Sequence, residues 1–238
     1  MRGDKEAACL KYVNDHIRDA LFPKLGKEER VEFAKALNSA IPNSAASDFP
    51  DFIISNGFIE HFEINASRET SKGSVQRIEE AKFERNCLID FSEIPRQNIA
   101  NTSELYSIRE EMDSPVYTRE DFIRSFKKHF QKHIDSSHAY KKSNGFRIFL
   151  IENSGATFTV LHNGRYRGEL YLPSFDHDLL SYMSSYAKDL THIVYRAAQI
   201  IEVIALSKIP ELQSSLEPGI TFEPGRFLNN KVTLLFSI

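Results

Sequence analysis

Apolar positions keep a helical period at the start of the chain, switch to a two-residue period at residues 50–65, and change period again in the last third. Residues 4–22 set Ala8, Leu10, Tyr12, Val13, Ile17, Ala20 and Leu21 along an amphipathic helix. Pro23 ends or kinks it. A second helix is predicted over 27–40, with Val31, Phe33, Ala34 and Leu37 apolar. Residues 42–49, rich in Ser, Ala and Asn, read as a loop before the two-residue period begins. After that segment a helix is expected near 74–87, burying Val75, Ile78, Ala81 and Phe83. Residues 88–118 have weak periodicity and are broken by Pro95 and Pro115. They read as an irregular connection with a short helix near 103–112. Residues 118–138 read as helical, with Thr118 and Asp121 in a capping arrangement.

Three strands are expected next, at 146–152, 157–162 and 167–172. Asn153-Ser154-Gly155 and Asn163-Gly164 supply turns, so the three form an antiparallel meander. Residues 176–208 read as one long helix whose C-terminal half is apolar nearly all round, which makes it a central packing helix or a homodimer seam. Pro210 stops it, and 231–238 reads as a last strand. The order implies an α/β or α+β fold: a mixed sheet flanked by helices, with a C-terminal meander and a long central helix. A single domain over 1–238 is expected, carrying an irregular and helical insertion at about 88–145.

Residues 50–65 form a hairpin, because β-branched and aromatic positions flank Asn56-Gly57. Two registers are open. A two-residue loop, Asn56-Gly57, gathers Asp51, Ile53, Ser55, Phe58, Glu60, Phe62 and Ile64 on one face and leaves Glu63 on the other. A three-residue loop, Ser55-Asn56-Gly57, puts Gly57 in a left-handed bulge and pairs Asp51 with His61. It sorts Asp51, Ile53, Ile59, His61, Glu63 and Asn65 from Phe52, Ile54, Phe58, Glu60, Phe62 and Ile64. A slip of one residue moves every side chain across the sheet, so burial favours the second, cleaner register. Asp51 and Glu63 then share a face, which is a site for a divalent ion. A sheet with one wet face and no metal explains the same polar residues. Glu60 falls on the apolar face of that register, and a buried carboxylate needs a partner such as Arg77 or another base.

Pro50-Asp51 followed by Glu63-Ile64 resembles the core pattern of the PD-(D/E)XK nuclease-like superfamily, over residues 50–87. Asn65 stands where that pattern has Lys. The resemblance implies a restriction-endonuclease-like core and Mg²⁺- or Mn²⁺-dependent hydrolysis of phosphodiester bonds, or a nucleic-acid- or protein-binding module that keeps the fold without the chemistry. It implies metal ligation by Asp51 and Glu63, with Asn65 beside them and Lys72, less favourably Lys82, supplying the positive charge. The residue types suit that chemistry. Mg²⁺ takes hard oxygen ligands, and a nearby cation stabilises developing negative charge.

Other signals are weaker. Lys127, Lys128 and Lys132 make a local basic patch able to follow a nucleic-acid backbone, DNA before RNA, or merely a solvated helix face. His129 and His133 have metal-ligand spacing but lack the Glu of a His-Glu-x-x-His motif. Asp176-His177-Asp178 reads as a helix cap, and Arg165 and Arg167 flank a hairpin tip. Two cysteines, Cys9 and Cys87, give neither a disulfide framework nor a zinc spacing and suit a reducing, cytoplasmic setting. No 18-residue apolar run is present and the first residues are polar, so neither a membrane span nor a signal region is expected. The net charge of −3 argues against a chain that coats nucleic acid non-specifically.

Overall fold

A computed structural model describes residues 3–44, 49–65, 69–70, 73–74, 118–138, 140, 145–154, 158–168 and 171–224. The first two helices, α1 (Asp4–His16) and α2 (Lys27–Asn38), form as the period predicts, though α1 gives way to a 3-10 turn at Ile17–Asp19. Glu29 starts α2 by accepting the Gly26 N–H at 2.7 Å, which satisfies one of the donors a helix start leaves open. Among the described residues the main sheet has strands β1 (Ile41–Pro42), β2 (Phe52–Ile54), β3 (Gly57–Ile64), β6 (Arg147–Asn153), β9 (His192–Ala197) and β10 (Ile200–Ala205), in that spatial order. β3, β6 and β9 run parallel, and the remaining neighbours run antiparallel. A separate sheet joins β7 (Phe158–His162) to β8 (Arg165–Gly168) and β11 (Ile220–Pro224). A small pair is made by β4 (Glu69–Thr70) and β5 (Gly73–Ser74).

Helices cover both faces of the main sheet. On one face, Cys9, Leu10 and Val13 of α1 and Phe33 and Leu37 of α2 pack on Phe52, Ile59, Ile148, Leu150, Val194 and Val203. On the other lie α3 (Arg119–His138), α4 (His177–Ser184) and α5 (Ile209–Ser214). They bury Phe122, Phe126, Phe130, Leu179, Leu180, Met183 and Ile209 against Phe58, Phe62, Phe149, Ile151, Ile193 and Ile204. The α/β class with a mixed sheet is therefore as expected. Thr118 and Asp121 cap α3 reciprocally, each side chain bonding the other's backbone N–H. No described helix is long and apolar enough to cross a membrane.

Three expectations are corrected. The hairpin turns at Ser55-Asn56, with Ile54 opposite Gly57 and Phe52 opposite Ile59, which is neither of the two registers above. Its face sorting matches the two-residue alternative. Phe58, Glu60, Phe62 and Ile64 face α3, while Ile59, His61 and Glu63 face α1. Polarity does not select the register because β3 has no wet face: every residue from Gly57 to Phe62 is buried. Gly57 is needed for close approach rather than for a left-handed turn, since a Cβ there would run into the backbone of Phe146. Phe58 N–H bonds Phe146 O at 3.0 Å, and Gly145 N–H bonds Asn56 O at 2.9 Å, so the chain entering β6 fixes the hairpin tip.

The long helix over 176–208 is not formed. α4 stops at Ser184, and the apolar stretch beyond it is the hairpin β9–β10, turning at Ala198-Gln199 with Ala198 at φ 50°. A run apolar on all sides suits an inner strand as well as an inner helix, and the β-branched residues favour the strand. The segment read as a homodimer seam is thus a hairpin ending the main sheet, with most of its apolar side chains buried under the helices. The meander also divides: its first strand is β6 of the main sheet, and only β7 and β8 pair as a hairpin, at Asn163-Gly164. Tyr171 and Leu172 lie beyond β8. The helix expected near 74–87, most of the 88–118 connection and the strand over 231–238 lie outside the described residues.

Candidate functional site

Alternation along β3, β6 and β9 brings polar side chains together at the C-terminal ends of these parallel strands, on the face under α1. Glu63 lies directly across from Glu152, and Glu152 across from Arg196. His61, one pleat earlier on β3, is on the same face. Helix α1 adds Lys5, Cys9 and Tyr12. Crevices outside the carboxyl ends of parallel strands are where α/β sheets commonly bind ligands.

The centre is tightly knit. His61 is 7% exposed, and its Nε2 lies 3.3 Å from Glu152 Oε2. Arg196 Nη1 donates to the other carboxylate oxygen, Glu152 Oε1, at 2.7 Å. The guanidinium sits over the Tyr12 ring, 4.2 Å from its centroid. Cys9 is 1% exposed, and its sulfur joins the His61 nitrogen and Glu152 oxygen in a group whose atoms all lie within 4.8 Å of one another. Burial works against a charge on the His61 ring, but hydrogen bonds to Cys9 and Glu152 outweigh it and raise the ring to about 9. The His61 hydrogen bond in turn holds Glu152 below its usual carboxylate value, against the opposing effect of burial and with help from the Arg196 and Lys5 charges. Lys5 Nζ forms an ion pair with Glu63 at the rim.

The residues expected from sequence are placed differently. Asp51 precedes β2, and the register continued by one pair sets it opposite Glu60 rather than His61. Its backbone N–H donates to Glu60 Oε2 at 3.1 Å, while its own Oδ2 accepts the His61 backbone N–H at 2.8 Å. Burial first, and the Glu60 charge second, raise the Asp51 carboxyl to about 6. Glu63 faces Lys5, so the shared face that was to join Asp51 and Glu63 is not formed. Asn65 follows β3 and is half-buried. Lys72 and Lys82 lie outside the described residues.

Glu60 finds its base in His133 of α3, with Nδ1 2.6 Å from Glu60 Oε1 and the ring stacked on Phe62. That contact occupies one of the two histidines with metal-ligand spacing. Lys128 and Lys132 are exposed on α3, whereas Lys127 is turned to α4, its Nζ 5.2 Å from the Tyr182 ring centre. Asp176 caps α4 as expected, accepting from Asp178 and Leu179 N–H. It is also fully buried and clamps Arg119 of α3 at 2.7 and 3.1 Å while accepting the Tyr171 hydroxyl at 2.8 Å. Cys9, Glu152, Arg196 and Lys5 were missed. Their only local signal is the placement of Lys5, Cys9 and Val13 four residues apart on one stripe of α1.

Compared with protein-family models, curated proteins and solved structures, the chain matches none.

Proposed function

We propose that the chain hydrolyses phosphodiester bonds of nucleic acid, assisted by a divalent ion at the C-terminal ends of β3 and β6. The observation that carries this reading is the pairing of Glu63 with Glu152 on one sheet face, with Lys5 on the first and Arg196 on the second. Mg²⁺ and Mn²⁺ need one or two hard carboxylates beside substrate oxygens, and Glu63 and Glu152 would supply them. When bound, such an ion acidifies a water and neutralises phosphate charge. Lys5 brings the positive charge that Asn65 does not. Arg196, held over Tyr12, fixes the Glu152 carboxylate. The nuclease-like resemblance of residues 50–65 agrees with this class of reaction but contributes only Glu63 to the revised site.

The test is cleavage of DNA and RNA with Mg²⁺ or Mn²⁺. Glu63→Gln is expected to reduce the rate by about 10²-fold or more, and Lys5→Met by less, since it removes one stabilising charge rather than a ligand. A wild-type chain that cleaves neither polymer with either ion overturns the reading. One observation favours a second reading, a binding module without catalysis: both carboxylates already carry a cation, as structural ion pairs do. That module would associate with DNA or RNA in a salt-dependent way through Lys128 and Lys132, and Gln at both positions would flatten the salt dependence.

A further inference from the structure

The donors crowded at the base of this site are not those of a magnesium centre. Mg²⁺ is held by oxygen, whereas a thiolate, an imidazole and a carboxylate together suit a borderline-soft ion. We propose that Cys9, His61 and Glu152 form a binding site for a divalent transition-metal ion of the zinc class. The site does not depend on the hydrolytic reading, and only Glu152 is common to the two.

Geometry supports this in three ways. First, nitrogen and oxygen ligands about 2.0–2.1 Å from a tetrahedral ion stand about 3.3 Å apart. His61 Nε2 and Glu152 Oε2 are 3.3 Å apart, so these two donors already span one tetrahedral edge. The Cys9 sulfur lies within 4.8 Å of a His61 ring nitrogen and a Glu152 carboxylate oxygen, and zinc–sulfur bonding at about 2.3 Å would draw it nearer. Second, the donors are presented by regular elements, α1, β3 and β6, and Cys9 and His61 are buried, so little reorganisation precedes binding. Third, Glu152 is already oriented. Arg196 occupies Oε1 and leaves Oε2 toward the imidazole, the supporting contact that tunes and aims a metal-bound carboxylate.

Three protein donors leave the fourth tetrahedral position to a water or a substrate atom, the composition of a reactive zinc centre rather than a closed structural one. Among the described residues no fourth Cys, His, Asp or Glu joins the group. Glu63 and Lys5 pair with each other on the rim of the same face. Binding exchanges the His61 hydrogen bonds for metal bonds and releases the thiol and ring protons to solvent.

The decisive experiment is Co²⁺ titration of the full, chelator-stripped chain under reducing conditions, read by optical absorption. Wild type is expected to bind one equivalent and to show both a thiolate-to-cobalt charge-transfer band and tetrahedral ligand-field bands. Zn²⁺ should bleach both, and a hundredfold excess of Mg²⁺ should not. The chain has two cysteines, so a Cys87→Ser chain leaves Cys9 as the sole thiol and should keep the charge-transfer band. Cys9→Ala should abolish that band, and His61→Gln should weaken binding at least tenfold. Glu63→Gln should leave the spectrum intact even where it stops cleavage, which separates this site from the hydrolytic reading. Should the Cys9 or His61 variant fail to fold, wild type and Cys87→Ser still decide. Absence of the band from wild type, or its loss with Cys87 alone, overturns the assignment.

Discussion

The two faces of the main sheet handle their acids in opposite ways. Glu152 lies under α1 beside His61 and Arg196, and its carboxyl is held below the ordinary value. Glu202, on the opposite face of β10 next to Tyr195, is 1% exposed. Burial raises its carboxyl to about 7, against the Ser174 N–H it accepts at 3.2 Å. The residue type and the sheet are the same, but the neighbours are not. Desolvation penalises a charge wherever it is buried, and only nearby cations and donors reverse the outcome. The face under α1 gathers its charges at one end, where Glu152 pairs with Arg196 and His61 and Glu63 with Lys5. The face under α3 and α4 is filled with aromatic rings, among which Phe130 meets Phe62, Phe126, Phe149, Tyr182 and Tyr186. One face carries its chemistry at a corner, and the other supplies stability.

The strongest break of that contrast is Phe130→Ala. It should cost about 3–5 kcal/mol, because a fully buried ring leaves a cavity that its aromatic neighbours cannot fill. Denaturant unfolding measures it, and a cost under about 1 kcal/mol would contradict the assignment of stability to this face. A smaller effect is expected from pH. The folded chain binds the Glu202 proton more tightly than the unfolded chain does, so its contribution is complete below the ordinary carboxyl value and is lost as pH rises through about 7. Asp51, raised to about 6, acts with the same sign. His192, lowered to about 4 by burial, acts oppositely and loses its contribution as pH falls below its ordinary value of 6.5. Comparing wild type with Glu202→Gln between pH 5 and 8 isolates Glu202. The wild type should lose more stability than the variant over that range, and identical slopes would place the acid in a wetter setting. The smallest effect should come from Lys5→Ala. Its ion pair with Glu63 is at the rim, with the lysine side chain 54% exposed, so its loss should shift stability by about 0–1 kcal/mol. A larger loss would make that corner a structural brace as well.

Local signals were legible where one periodicity had one meaning. α1, α2 and α3 follow from apolar stripes, the α3 start from Thr118 and Asp121, the α4 cap from Asp176, and the β7–β8 turn from Asn163-Gly164. Their sum, helices around a mixed sheet, was enough for the fold class. Tertiary structure decided the rest, because burial on both sides removes the alternation that sequence reasoning depends on. β3 is buried on both faces, so polarity could not choose its register, and the backbone of Phe146 chose it instead. The stretch over 192–205 is apolar at most positions on both faces, so only its pairing with β6 and with itself distinguishes strand from helix. The Cys9–His61–Glu152 group left no local mark. His61 and Glu152 are 91 residues apart, and their meeting is set by the parallel β3–β6 register, a contact that no short window of sequence contains.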